Sequence, residues 1–144
     1  MDVDTSIGYA LKRATSALRG AMDDRLRALD LTVSQYSSLE LLARKPNMSN
    51  AELARGVFVS RQATHQLLTG LRRLGLVEVD GTGRDQRLHL TPEGTRRLRE
   101  ASEAVANIEE SMLADLSIEQ RNALRESLAA CAVALSGHHE QQAR

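Results

Sequence analysis

One helical stretch of the chain carries polar side chains that suit hydrogen bonding to nucleic acid. Residues 60–75 read SRQATHQLLTGLRRLG, with apolar positions at helical spacing. The opposite face contains no acid, and its side chains are those of Arg61, Gln62, His65, Gln66 and Thr69. In the major groove, Arg pairs with guanine, Gln pairs with adenine and Thr bonds to either. The alternative is an ordinary solvated face, but such faces usually mix Glu with Lys, so the pattern favours DNA recognition.

A basic turn follows this stretch. Residues 81–87 read GTGRDQR, in which two glycines favour a flexible turn. Arg87 is predicted to reach the minor groove of DNA, where the potential is negative, and Arg84 at the tip to meet a phosphate. Asp85 lies two residues before Arg87 and is expected to hold its guanidinium by a charge-assisted bond. The alternative is a surface salt bridge of less than about 1 kcal/mol.

Charge is distributed unevenly along the chain, although the net charge is zero. Residues 44–99 carry eleven basic and five acidic side chains. Residues 1–43 carry five basic and six acidic side chains, and residues 100–144 carry three basic and eight acidic side chains. A basic segment between neutral and acidic flanks suggests a module that faces a polyanion, whereas random scatter on a solvated surface is the alternative.

Six helices and one β-hairpin are predicted to position these side chains. The helices cover residues 7–29, 32–45, 50–56, 60–74, 92–112 and 117–137, and the hairpin strands cover 76–79 and 87–90. Thr32 with Gln35 and Ser49 with Glu52 have the spacing of capping boxes. Gly137 is expected to end the last helix, which leaves a frayed tail.

Three helices have apolar seams that one small domain could hardly cover. Their side chains are Ile7, Leu11, Ala14, Leu18, Met22, Leu26 and Leu29; then Leu98, Ala101, Val105, Ile108 and Met112; then Leu124, Leu128, Cys131 and Leu135. The length of these three seams suggests a dimer interface.

In the helix at 60–74, the residues predicted to face inward are Thr64, Leu67, Leu68, Leu71 and Leu74.

The predicted fold is mainly α with a small β-hairpin wing. Residues 1–144 are expected to form a single domain with the organisation of a winged helix-turn-helix. Residues 32–94 form its DNA-binding lobe, and residues 1–31 and 95–144 supply long N- and C-terminal dimerisation helices. The expected partners are double-stranded DNA and a second copy of the chain.

Several other classes of function lack support in the sequence. No apolar run approaches the roughly 20 residues needed to span a bilayer, and the acidic start does not resemble a signal peptide, so no membrane partner and a cytoplasmic location are expected. No zincin helix, paired CxxC or nucleophile elbow occurs, so an enzyme is not expected. No metal or other cofactor is expected, because His138 and His139 lie on the tail and His65 faces outward.

Three stretches of the chain read LTVSQYSSLELL, SNAELARGVFVSRQATHQLLTGLRRLGLV and RDQRLHLTPEG. In this order they resemble the MarR family of bacterial winged-helix transcription regulators. The resemblance implies a homodimer that binds a pseudo-palindromic operator, usually as a repressor relieved by a small ligand or by oxidation. Carried over by position, Gln62, His65 and Gln66 match major-groove contacts, and Arg87 matches the wing arginine.

Two departures from the family pattern bear on function. The hairpin is several residues shorter than usual, which supports an alternative: a helical dimer that binds a small molecule or a protein partner with weak or lost DNA binding. The peroxide-sensing branch has a cysteine in its first helix, whereas Cys131 lies in the last helix and is expected to be a small buried hydrophobe.

A ligand cleft is one interpretation of Tyr9, Arg13 and Tyr36, in which a small-molecule effector binds where the dimer helices meet the lobe. Packing and capping roles for the same three residues are the other interpretation, and the sequence favours these.

Overall fold

A computed structural model describes residues 2–57 and 59–142, with the side chains of residues 2–57 and 59–137. Its helices are α1 (Ile7–Arg27), α2 (Val33–Arg44), α3 (Asn50–Gly56), α4 (Arg61–Arg73), α5 (Pro92–Met112) and α6 (Ile118–Gln142). Strands β1 (Val77–Asp80) and β2 (Arg87–Leu90) form an antiparallel hairpin, and short 3-10 turns cover Val3–Thr5 and Gly83–Asp85. The predicted mainly helical fold with a small hairpin is confirmed.

Side-chain caps determine where most of these helices begin. The hydroxyls of Thr32 and Ser49 accept hydrogen bonds from the backbone N–H groups of Gln35 and Glu52, whose side chains accept in return. Ser60 caps α4 by accepting from the N–H of Ala63. These bonds satisfy amides that a helix leaves without an internal partner, which is why the boundaries could be predicted from local sequence.

The hairpin is tied to the segment that precedes α3. In the register of the two strands, Val77 lies opposite Leu90 and Asp80 lies opposite Arg87. Leu88 also bridges to Met48, with its N–H donating to the Met48 carbonyl at 2.9 Å. This third edge fixes the hairpin against the helical part of the lobe.

A close backbone contact joins the base of the hairpin to α5. The Thr91 hydroxyl donates to the Gly75 carbonyl at 2.6 Å and accepts from the N–H of Gly94 at 3.0 Å. A Cβ on Gly94 would lie 2.1 Å from the Leu76 carbonyl oxygen. Only glycine fits this contact, which explains why a glycine lies three residues after Thr91.

The chain divides into two compact units, Met1–Ile108 and Glu109–Arg144. The first unit has a core built mainly from leucines: Leu26, Leu39, Leu42, Leu53, Leu68, Leu71, Leu76 and Leu88. In the second unit, Arg121 donates to the Leu113 carbonyl at 2.8 Å and contacts Glu110 at 3.1 Å. The division into a DNA-binding lobe and dimerisation helices stays a prediction.

None of the described helices is both long enough and apolar enough to cross a membrane.

The C-terminal helix departs from the sequence-based prediction in two ways. It continues to Gln142 instead of ending at Gly137. Gly137 does not have the positive φ with which a glycine ends a helix. It is an interior residue of α6, and glycine there lowers the stability of the helix by about 1 kcal/mol relative to alanine. The residues predicted to face inward are exposed: Leu124, Leu128, Cys131 and Leu135. Cys131 is therefore not a buried hydrophobe within the protomer.

One residue of α4 was also predicted wrongly. Thr64, Leu68 and Leu71 are buried as expected, but Leu74 is 39% exposed. The helix ends at Arg73, and Leu74 is its C-cap. Leu74 keeps helical backbone angles, and its N–H donates to the Gly70 carbonyl at 3.1 Å, but at the end of the helix the core covers its side chain only in part.

Candidate nucleic-acid interface

The α4 helix presents the polar face that the sequence predicts. All five candidate side chains, those of Arg61, Gln62, His65, Gln66 and Thr69, are exposed. The Thr69 hydroxyl donates to the His65 carbonyl at 2.9 Å, so its oxygen remains available as an acceptor. The buried face anchors the helix through Leu68 and Leu71. The arrangement leaves an acid-free helix face in contact with solvent.

The α3 helix supports α4 from the side. The N–H of Val59 donates to the Ala54 carbonyl at 3.1 Å in the connection between the two helices. A Cβ on Gly56 would lie 2.6 Å from a methyl carbon of Leu41, so the end of α3 packs closely on α2. These contacts hold α3 against α2 and against the segment that leads into α4.

The tip of the hairpin is a compact turn. Gly81 and Gly83 have φ of +83° and +59°, values that disfavour any side chain. A Cβ on Gly81 would lie 2.6 Å from the Asp85 carbonyl oxygen, and the N–H of Asp85 donates to the Thr82 carbonyl at 3.2 Å. The two glycines therefore allow the backbone to close the turn that carries Arg84.

The expected pairing of Asp85 with Arg87 is wrong. Among the described residues, Asp85 forms no ion pair, and Arg87 Nη1 donates instead to the Gln86 carbonyl at 3.0 Å. Asp85 belongs to the 3-10 turn whereas Arg87 begins β2. The two-residue spacing therefore does not place the two side chains on one face of a strand.

A groove of about 620 Å³ brings these parts together. Three parts of the chain line it: the start of α3, the first turns of α4 and the hairpin tip. The lining residues are Ser49, Asn50 and Ala51; then Arg61, Thr64 and His65; then Gly83, Arg84 and Gln86. None of these lining residues is acidic, and two are arginines. The groove therefore has the charge expected of a surface that binds a polyanion.

The acidic residue of α3 is neutralised locally. The Lys45 ammonium lies 2.9 Å from a carboxylate oxygen of Glu52, and the Ser49 hydroxyl donates to the same carboxylate at 3.2 Å. The hydrogen bond from Lys45 is the main cause that lowers the pKa of Glu52, with the Ser49 backbone N–H next. The Glu52 carboxylate therefore stays ionised, with its charge paired to Lys45.

Comparisons with known proteins agree with this geometry. A model of the MarR family matches residues 29–88. The transcriptional repressor Rv2887 of Mycobacterium tuberculosis is 30% identical over 128 residues, which cover 87% of this chain and 92% of that protein. The chain belongs to the MarR family.

Solved structures of MarR-type repressors extend the comparison. Rv2887 in complex with DNA is 29% identical, with a TM-score of 0.76 over 88% of this chain and 98% of that one. The repressor CouR bound to a 23-mer DNA duplex is 30% identical, with a TM-score of 0.81 over 90% and 94% of the two chains. The same two proteins have been solved with salicylic acid and with p-coumaroyl-CoA, at TM-scores of 0.72 and 0.80 to this chain.

The outer face of the hairpin in this MarR-family chain carries a charge cluster that sequence reasoning missed. His89 Nε2 lies 3.3 Å from a Glu78 oxygen, and His89 Nδ1 lies 3.4 Å from an Asp80 oxygen. The signal was present in the alternation of β1, because residues 78 and 80 share a strand face and residue 89 lies opposite 78.

The three weak ligand candidates lie in different surroundings. Tyr36 is 6% exposed and belongs to the core of the first unit. Tyr9 and Arg13 are exposed on α1, and Arg13 lines an open surface groove with Ala10, Ala14 and Ala17. Neither Tyr9 nor Tyr36 lines that groove, so their joint role in a cleft stays a prediction.

Proposed function

We propose that this chain is a homodimeric, sequence-specific DNA-binding repressor that a small ligand releases from its operator. The observation that carries the proposal is the acid-free exposed face of α4 above a groove lined by Arg61, His65 and Arg84. The complexes of Rv2887 and CouR with DNA support it, because the two proteins are 29% and 30% identical to this chain over most of its length.

In this proposal α4 enters the major groove. Gln62 and Gln66 are one helical turn apart, so both amides can meet successive base edges from one face. Arg61 and His65 flank them and supply contacts to guanine or phosphate, and Thr69 adds a hydroxyl. In the wing, Arg84 meets a phosphate and Arg87 meets the adjacent minor groove, with Asp85 in the turn between them.

Apolar side chains that the protomer leaves exposed support the proposed dimer. On α1, Ile7 and Leu11 are exposed, and on α6, Leu124 and Leu128 are exposed. A second copy of the chain would remove these surfaces from water and place two α4 helices on the half-sites of a pseudo-palindromic operator.

The proposed effector is an aromatic acid or its coenzyme A thioester. Salicylic acid in the Rv2887 structure and p-coumaroyl-CoA in the CouR structure support this class. Arg13 in the α1 groove is the candidate partner for the ligand's negative charge, with Tyr9 and Tyr36 as the weaker candidates.

Selection of DNA fragments by the purified protein, followed by titration of the selected operator and of random DNA, tests the proposal. Replacement of Gln62 or Gln66 with Ala should narrow the difference in binding free energy between the two DNAs by about 1–3 kcal/mol. Thr95→Ala is a matched control, because Thr95 is exposed on α5 and lies outside the groove. An unchanged difference in both Gln variants would refute base recognition by α4. Absence of any salt-dependent DNA binding would favour the alternative, a helical dimer that binds a small molecule or protein.

A further inference from the structure

The outer face of the hairpin places four ionisable side chains next to one another. Glu78 and Asp80 belong to β1, and their partners in the register are residues of β2. Glu78 lies opposite His89, and Asp80 lies opposite Arg87. Side chains that lie directly opposite each other are closer than diagonal ones. The register alone would therefore pair Asp80 with Arg87.

The observed contacts differ from that expectation. His89 contacts both acids, because its Nε2 lies 3.3 Å from a Glu78 oxygen and its Nδ1 lies 3.4 Å from an Asp80 oxygen. Among the described residues, Arg87 forms no ion pair, and its Nη1 donates to the Gln86 carbonyl at 3.0 Å. The diagonal contact with His89 therefore holds Asp80 away from the arginine that lies opposite it.

Both contacts of His89 are favourable only when its ring is charged. A neutral imidazole has one N–H and presents a lone pair at its other nitrogen, which repels a carboxylate, whereas the charged ring donates from both nitrogens. The Glu78 contact has the geometry of a hydrogen bond, whereas the Asp80 contact has only the distance of an ion pair. Loss of the proton should therefore release Asp80 first. The charge of a histidine ordinarily changes between about pH 5 and 8.

We propose that His89 is a positioning residue for the wing arginine, and that its charged form leaves Arg87 free for DNA by holding Asp80. When His89 is neutral, Asp80 pairs with Arg87 across the hairpin, and the guanidinium must leave that pair before it binds DNA. This inference rests on the DNA-binding function proposed above, in which Arg87 meets the minor groove. Arg87 therefore contributes more to DNA affinity at low pH than at high pH.

The ratio of the DNA affinities of the wild-type protein and Arg87→Gln measures that contribution. It is determined on a duplex selected by the purified protein, at about pH 6 and at about pH 8. The ratio should fall as the pH rises, by up to about fivefold, which is the strength of a cross-strand ion pair. Titration of His65 on α4 affects both proteins equally and cancels. Arg84→Gln is the matched control, and its ratio should not depend on pH, because Arg84 lies in the 3-10 turn outside the strand pairing.

Two further variants test the roles of the histidine and the acid. In Asp80→Asn the competitor is absent, so the Arg87 ratio should stay at its low-pH value at both pH values. In His89→Gln nothing holds Asp80, so the ratio should stay at its high-pH value. A purely structural role of His89 would change stability without fixing the ratio at these two opposite levels. A ratio that is independent of pH in the wild-type protein, or that falls equally in Asp80→Asn, would overturn the proposal.

A measurement without DNA separates this proposal from the DNA-binding function. The NMR chemical shift of the Arg87 guanidinium carbon should change as the pH rises in the wild-type protein and should stay constant in Asp80→Asn. Absence of that change would overturn the pairing of Asp80 with Arg87 while the DNA-binding function stood. If the change occurred in a wild-type protein that bound no DNA, the pairing would stand and the DNA-binding function would be overturned.

Discussion

Helices α4 and α6 have similar leucine patterns but opposite exposure. Leu68 and Leu71 of α4 are buried, whereas Leu124 and Leu128 of α6 are 40% and 42% exposed. The helical period that predicts an apolar face is present in both. What differs is whether the protomer supplies the surface that covers that face. Periodicity therefore identifies the face that needs a partner and leaves open whether the same chain provides it.

The first helix makes the same distinction along its own length. Ile7 near its start is 81% exposed, whereas Leu26 near its end is fully buried. The C-terminal part of α1 belongs to the core of the first unit, and its N-terminal part has apolar side chains that face solvent. This is the pattern expected when only part of a helix is covered within one protomer.

The largest expected effect comes from an identical substitution in the two helices. Leu71→Asp would bury an unpaired carboxylate at a fully buried position, which should cost several kcal/mol and unfold the first unit. Leu128→Asp should leave that unit folded and instead abolish the dimer and operator binding together. Circular dichroism measures folding, and analytical sedimentation measures association. If Leu128→Asp remained dimeric, the proposed interface would be wrong.

A glycine pair gives the next largest effect. Gly94→Ala would place a Cβ against the Leu76 carbonyl oxygen and should lower the free energy of unfolding by about 1–3 kcal/mol. Gly20→Ala is the control, because nothing lies within 4 Å of a Cβ there. Alanine in the middle of α1 should raise the stability by about 0.5–1 kcal/mol. Chemical denaturation of both variants measures these two changes in the free energy of unfolding.

The local parts of the fold could be predicted because their causes are local. The capping boxes at Thr32 and Ser49 are built from residues three apart, so their spacing alone predicts the helix starts. The hairpin and its glycine turn follow similarly from short-range pattern. The bond from Thr91 to Gly75 spans sixteen residues, and only the structure explains why Gly94 must follow it.

The errors arise where the result depends on distant or competing contacts. The sequence predicts that Gly137 ends the last helix, but Gly137 does not have a positive φ and α6 continues through it. Asp85 and Arg87 have a suitable spacing, but Asp85 ends a 3-10 turn whereas Arg87 begins β2. The five candidate residues on α4 were placed correctly on an exposed face, whereas the groove that joins Arg61 to Arg84 depends on tertiary structure.

A smaller effect distinguishes the two arginines of the wing. If Arg87 enters the minor groove, Arg87→Ala should weaken binding several-fold more on an operator with A·T-rich flanks than on one with G·C-rich flanks, because a narrow minor groove attracts arginine. Arg84→Ala should weaken both duplexes equally, since a phosphate contact is independent of sequence. Equal losses for Arg87→Ala would show that this short wing does not read the groove.

Asp85→Ala completes that comparison, because the sequence and the structure predict opposite outcomes for it. An aspartate that oriented Arg87 would, once removed, reproduce a milder Arg87→Ala on the A·T-flanked duplex. Without an ion pair to Arg87 among the described residues, Asp85 contributes only a negative charge near the DNA. Its removal should therefore strengthen binding slightly and equally on both duplexes, more at low salt than at high salt. Titrations of the two duplexes at two salt concentrations measure this difference, and a selective loss on the A·T-flanked duplex would restore the orienting role.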